Sequence, residues 1–261
     1  MVVSNLCQAE PHIPVDSAEA DELVSMWNIQ YPEAEELISQ VLATMPTARI
    51  QLEGELRSKS RGGDYQPVAA VRMVLNATGD SGSASYAVSD FFGAQQETLD
   101  VRRLTGAVTH EYRAGTNLEL QKFPGLGEKI RDTELTWADL TLSFLWWKGG
   151  KTLGRDKARG RSCYVIELQA PQDITGPVRS VKLWIDPKIG MLLRADSFAA
   201  NGELIRSLSV KKFRKIDNIW MVSDIGVLAY PDKAGASLLI HTVTPLTKEP
   251  AGTEPAILST N

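Results

Sequence analysis

Cysteine is nearly absent from this chain. Among 261 residues only Cys7 and Cys163 occur, which excludes a disulfide-stapled scaffold and a zinc site built from closely spaced thiolates. Histidine is almost as scarce: His12, His110 and His241 share no helical or hairpin spacing, so no metal or cofactor is expected. An excess of positive charge is missing too. With 28 Lys and Arg against 32 Asp and Glu, the net charge is −4, the opposite of the basic footprint that nucleic-acid binders carry. Nor does any stretch approach the roughly 20 consecutive apolar residues that a membrane-spanning helix needs.

Catalytic signatures are lacking as well. Gly149-Gly150-Lys151-Thr152 resembles the end of a phosphate-binding loop, but Leu145 stands where that motif needs its first glycine. Gly125-Leu126-Gly127 lacks the third glycine of a dinucleotide fingerprint. No Gly-x-Ser-x-Gly elbow occurs, and Ser209-x-x-Lys212 falls on a strand-like run instead of a helix start. The chain is therefore read as a non-enzyme, with no catalytic residue assigned.

What is present begins with Met1 to Ala9, an apolar stretch ending in a small residue before Glu10-Pro11. It fits the tail of a secretory signal. The expected organisation is thus a leader remnant over 1–9, one domain over 10–245, and a loosely ordered tail over 246–261. Two helices follow the leader: one capped by Asp16 and Glu19, the other starting at Pro32 with an apolar stripe from Ala34 to Met45. From Thr47 the period changes from 3.6 to 2. Ile50 and Leu52 alternate with Arg49, Gln51 and Glu53, as in a strand with one wet face.

Further strand-like runs fall near 66–77, 84–92, 95–103, 107–113, 116–122, 161–169, 178–186, 191–199, 203–214, 219–230 and 235–243. Asn201-Gly202 is the strongest hairpin signal between them. Many strands joined by short turns predict an antiparallel meander that must curl, close or be covered. Val181, Leu183 and Ile185 should face inward with Ile50 and Leu52, leaving Trp184 outward and in contact with solvent. One segment breaks the pattern. Residues 134–148 open with Thr136 and Asp139 in capping-box positions and read as one helix, with Trp137, Leu140, Phe144 and Trp147 on one stripe and Leu142, Leu145 and Trp146 behind it. Gly149-Gly150 would then serve as a hinge or a C-cap. Two basic strips, Lys151 to Arg161 and Arg206 to Lys215, read as solvated faces or as contacts for anionic head groups.

Three stretches together resemble the LolA/LolB-like outer-membrane lipoprotein-sorting family. They are Leu135-Thr136-Trp137-Ala138-Asp139-Leu140 through Phe144-Leu145-Trp146-Trp147; Trp184-Ile185-Asp186 with Gly190-Met191-Leu192-Leu193-Arg194 and Asn201-Gly202; and the helix from Ala34 to Met45 running into an alternating strand. The resemblance covers roughly residues 32–244, and its motifs are structural. It implies a mainly β (α+β) fold, a curved antiparallel sheet forming an unclosed β-barrel with helices covering the concave face. It also implies a periplasmic carrier for acyl chains of lipids or lipoproteins, a monomer that works between an inner-membrane donor and an outer-membrane acceptor protein. The family's lid-fastening arginine matches no position here. On this reading Ile50, Leu52, Val181, Leu183 and Ile185 line the cavity, and Trp137, Leu140, Phe144, Trp146 and Trp147 form its lid. The alternatives are a sensor or protein-interaction module using the same groove, and an enzyme on a β-barrel scaffold.

Overall fold

The computed structural model describes residues 30–246 except 79, 80, 95, 105, 106, 173, 175, 217 and 218. The chain divides into two units, Met1–Pro32 and Glu33–Asn261, and the architecture is that of the second. The expected leader, the helix after Asp16 and the tail beyond Leu246 lie outside the described residues.

A helix, α1 (Ala34–Ala43), comes first and buries Ala34, Leu37, Ile38 and Val41, the stripe that its sequence spacing predicts. Glu35 and Glu36 in its first turn complement the positive end of the helix dipole. Six strands follow: β1 (Ile50–Lys59), β2 (Gln66–Thr78), β3 (Ser81–Ser89), β4 (Gln96–Leu104), β5 (Ala107–Ala114) and β6 (Glu119–Gln121). After a long crossover come β7 (Lys151–Ala158), β8 (Arg161–Gln169), β9 (Ser180–Asp186), β10 (Met191–Phe198), β11 (Leu204–Ile216), β12 (Ile219–Ala229) and β13 (Gly235–Pro245). Each strand pairs antiparallel with its sequence neighbour, save that β13 returns to pair with β1 and the crossover separates β6 from β7. These two edge strands do not pair with each other, so the curved sheet of thirteen strands is a barrel left open.

That topology positions the crossover. Residues 122–150 must travel from one edge of the sheet to the other, and they do so over the concave face. Ile130, Leu135, Trp137, Leu140, Phe144 and Leu145 are buried in the same core as inward residues such as Leu56, Val71, Leu99, Leu183 and Leu238. The Asn201-Gly202 hairpin forms as expected. Gly202 takes φ 82°, and Asn201 Oδ1 accepts a bond from the Glu203 amide at 3.1 Å.

Three sequence expectations are corrected. Strand β7 was not foreseen, because Lys151, Arg155, Asp156 and Lys157 are exposed on an edge strand, where charge blunts further pairing and masks the alternation. Residues 134–148 are not one helix. A five-residue helix, α2 (Trp137–Thr141), stops at Leu142 and a 3-10 turn spans Ser143–Trp146. Finally, Val181, Leu183 and Ile185 do face the main core, yet Trp184 on the opposite face is only 6% exposed. A second small core covers it there, made with Ala158, Cys163, Val165, Leu193 and Phe213. The Trp184 indole N–H donates to Asp156 Oδ2 at 2.9 Å, which holds that carboxyl below the usual range, and Arg194 lies 4.4 Å from the ring centroid. Burial in this patch pushes the Cys163 thiol up, so it behaves as a small hydrophobe.

Candidate functional site

The crossover is tied down at two points by largely buried ion pairs. Arg206 on β11 donates from Nη1 to Thr136 Oγ1 and to Asp139 Oδ2, both at 2.7 Å. Asp139 Oδ2 also accepts from the Thr136 amide at 3.0 Å, while Thr136 Oγ1 accepts from the Asp139 amide at 3.3 Å, completing the capping box read from the sequence. The second tie joins Arg131 Nε to Glu97 Oε1 on β4 at 2.8 Å, and Tyr112 donates its hydroxyl to the other Glu97 oxygen at 2.9 Å. Arg206 thus leaves the solvated basic strip to which its sequence neighbours assigned it. Its side chain is 11% exposed, because Leu208 and Val210 beyond it turn the same face of β11 inward.

Beyond α2 the chain turns sharply. Leu142 adopts φ 50° and ψ 37°, a left-handed conformation costing a residue with a Cβ about 1–2 kcal/mol. Such strain collects where surrounding structure imposes it, often at ligand sites. Leu142 borders both of the apolar cavities that lie under the concave face. The first, about 180 Å³, is walled by Leu52, Met73, Leu75, Leu140, Trp146 and Leu238, among others. The second, about 130 Å³, adjoins it across Met45, Leu142, Met221 and Ile225, and extends to Met191, Leu192 and Leu208. Met45, Met73, Met191 and Met221 are all the methionines among the described residues, and every one lines these cavities. Methionine is the unbranched, polarizable side chain that re-packs around ligands of varied shape. Size alone does not pick the site: a cleft of about 460 Å³ over Glu53, Arg72, Gln96 and Thr98 is larger but polar and open.

The expected site residues separate into three groups. Leu52, Leu140 and Trp146 line the 180 Å³ cavity. Phe144, Trp147 and Val181 surround a small pocket of about 30 Å³ beside Arg206. Ile50, Trp137, Leu183 and Ile185 are buried in the core away from these cavities, with Trp137 edge-on to Tyr112 at 6.0 Å. Sequence reasoning missed Met45, Met73, Met191, Met221 and Arg103. The alternation of Met73, Arg103, Met191 and Met221 on strands was visible, and Met45 ended the stripe that starts at Ala34, but which end of each element meets the cavity was not. The glycine pair after the crossover turn is not a free hinge. Gly149 takes φ 74°, while a Cβ on Gly150 would meet Ala34 Cβ and Leu168 Cδ2 at 2.8 Å, so Gly150 serves close packing between α1 and β8.

Among the described residues no group of three His, Cys, Asp or Glu side chains could hold a metal ion, and no helix is long and apolar enough to cross a membrane. A comparison with curated proteins finds no match. Residues 123–242 match a family model whose description is "Uncharacterized protein". Solved structures are more informative. A DUF1329 family protein from Desulfovibrio piger superposes with a TM-score of 0.69 at 13% identity, over 83% of this chain and 93% of that one. A domain from Vibrio parahaemolyticus named for outer-membrane lipoprotein sorting gives 0.66 at 13%, over 83% and 92%. A LolA superfamily protein from Nitrosomonas europaea gives 0.60 at 12%, over 84% and 96%. An open antiparallel barrel, a crossover buried in its concave face and these superpositions together identify the fold of this chain as LolA-like.

Proposed function

We propose that this chain is an exported, non-enzymatic carrier that binds acyl chains of lipids or lipoproteins in the periplasm, in the service of outer-membrane lipoprotein sorting. The observation that carries this reading is the pair of adjoining apolar cavities, about 180 and 130 Å³, under a crossover that ion pairs tie down before α2 and that borders both cavities at Leu142. A cavity of about 150 Å³ with an apolar lining is enough to hold benzene. Each cavity therefore takes a few carbons, and a whole acyl chain requires Leu142, which borders both, to move aside and join the two. Every buried methylene would then contribute on the order of 0.8 kcal/mol, enough for firm binding without a covalent step. Leu52, Leu140 and Trp146 contact the ligand directly in this scheme, whereas Phe144, Trp147, Trp137, Ile50, Val181, Leu183 and Ile185 support them from the core. The structural neighbour named for lipoprotein sorting is consistent with the reading. Organic extraction of the purified protein followed by lipid mass spectrometry tests it. Acyl species in amounts comparable to protein are expected; an extract without them, from a protein that also fails to take up an apolar fluorescent probe, would overturn it.

A further inference from the structure

On the inner face of β4 the residues alternate Leu99, Val101, Arg103, and the last of these carries a guanidinium to the wall of the 180 Å³ cavity. Its Cζ lies 3.5 Å from the centroid of the Trp146 ring, a cation–π contact that holds the charge over the lid turn. The arginines that tie the crossover each have a carboxylate: Arg131 has Glu97 and Arg206 has Asp139. Arg103 has no carboxylate partner among the described residues. The nearby Tyr86 phenol does not supply a negative charge, since burial pushes its pKa up to about 12. Opposite Arg103 in the sheet stand Gly82 and Val108, neither of which can pair with it. The remaining polar lining is neutral: Asn76, Ser81, Ser83, Thr141 and Ser223. A cation half-removed from water to which the described residues bring no counter-charge is costly, and an anion arriving with the ligand would remove that cost.

Resting on the carrier reading, we propose that the ligand is an amphiphile with an anionic head, a carboxylate or a phosphate, and that Arg103 binds this head while the tail runs past Leu140, Leu142 and Met221 into the second cavity. The arrangement sets polarity as well as affinity. The head stays at the β3–β4 end of the groove and the tail points toward α1.

Calorimetric titration of the full chain with dodecanoate, dodecyl phosphate, dodecanol and dodecyltrimethylammonium, each below its micelle concentration, tests this. Both anions should bind at least about tenfold more tightly than the alcohol, equivalent to 1.4 kcal/mol, with the cation weakest; the tighter of the two anions identifies the head group. Arg103→Met should bring the anions down to the level of dodecanol while leaving dodecanol affinity in place, and Arg103→Lys should keep much of the preference. Equal affinity for anion and alcohol in the native chain would overturn the assignment without touching the carrier reading. So would an anion preference that persists in folded Arg103→Met. If no dodecyl compound binds at all, the carrier reading fails and this assignment with it. Should Arg103→Met fold poorly by circular dichroism, the head-group series on the native chain decides alone.

Discussion

The two halves of the crossover are built on different physics. Residues 128–141 are held by hydrogen bonds and charge: a capping box, Arg206 on Asp139, Arg131 on Glu97, and backbone bonds from Trp137 and Ala138 to Glu128 and Leu126. Residues 142–147 are held by apolar contact around a left-handed Leu142, beside cavities that leave part of their surface unpacked. Polar ties are directional and break all at once, whereas contact with methionines can be exchanged for contact with a ligand at little cost. That contrast decides which half of the crossover can yield. On the proposed carrier reading, the helix α2 anchors the crossover and the turn after it opens to the ligand.

The sharpest way to break this contrast is to cut the anchor. Replacing Asp139 by Asn or Arg206 by Met leaves one buried charge unpaired, and should cost about 3–5 kcal/mol, read as a lower urea midpoint at unchanged slope. A loss below about 1 kcal/mol, as for an exposed pair, would show that the anchor is solvated and that the two halves are alike.

A second test asks whether the yielding half is dry before ligand arrives. Tyr86, buried beside Arg103, has its phenol raised to about 12, with desolvation the leading cause and Arg103 opposing it, against an unfolded value near 10. The neutral form is the one that folding favours. Its contribution is therefore fully present below pH 10 and lost as pH rises from 10 to 12, an effect on the order of 3 kcal/mol. Tyr112 shifts in the same direction through burial and its bond to Glu97, so Tyr86→Phe should remove part of the alkaline loss, not all of it. Urea midpoints between pH 9 and 12 measure this, and identical profiles for the native chain and Tyr86→Phe would mean that water already fills the cavity.

A smaller effect distinguishes neighbours within the turn. Trp146, partly buried at the cavity wall, and Phe144, 3% exposed in the core, are two residues apart. Trp146→Ala should weaken binding of an apolar probe by about tenfold, 1.4 kcal/mol, with little change in urea midpoint. Phe144→Ala should do the reverse, losing about 3–5 kcal/mol of stability while the folded fraction binds normally. If both variants lose affinity and stability in parallel, the turn is a single core element and the division fails.

Much of the frame could be read from the sequence, because a one-sided strand announces itself by alternation. Ile50, Leu52, Val181, Leu183 and Ile185 face inward as expected, and the Asn201-Gly202 turn and the capping box at Thr136 form where expected. The failures share a cause: they depend on what comes from elsewhere in the chain. Trp184 was expected to meet water because its strand has an inner face, but β7 and β11 supply a cover that no local pattern reveals. The helix from Trp137 looked continuous by periodicity. It breaks at Leu142, just after Thr141 returns its hydroxyl to the Trp137 carbonyl at 2.8 Å, a local competitor of the helical bond. Arg206 read as part of a solvated strip and Arg103 carried no local signal; one found a buried acid on the crossover and the other an aromatic ring on it. The cavity itself was legible only as a surplus of apolar surface, since an empty volume has no residue of its own.

On the proposed reading, the ligand enters between the methionines under the turn at Leu142. Labelling the methionine ε-methyl groups and following their carbon–proton NMR signals during titration with dodecanoate tests this directly. Saturable shifts are expected for Met45, Met73 and Met221, which border the 180 Å³ cavity, with Met191 moving as the tail reaches the second. Calorimetric binding accompanied by unmoved signals from all four would contradict it and place the ligand outside the concave face.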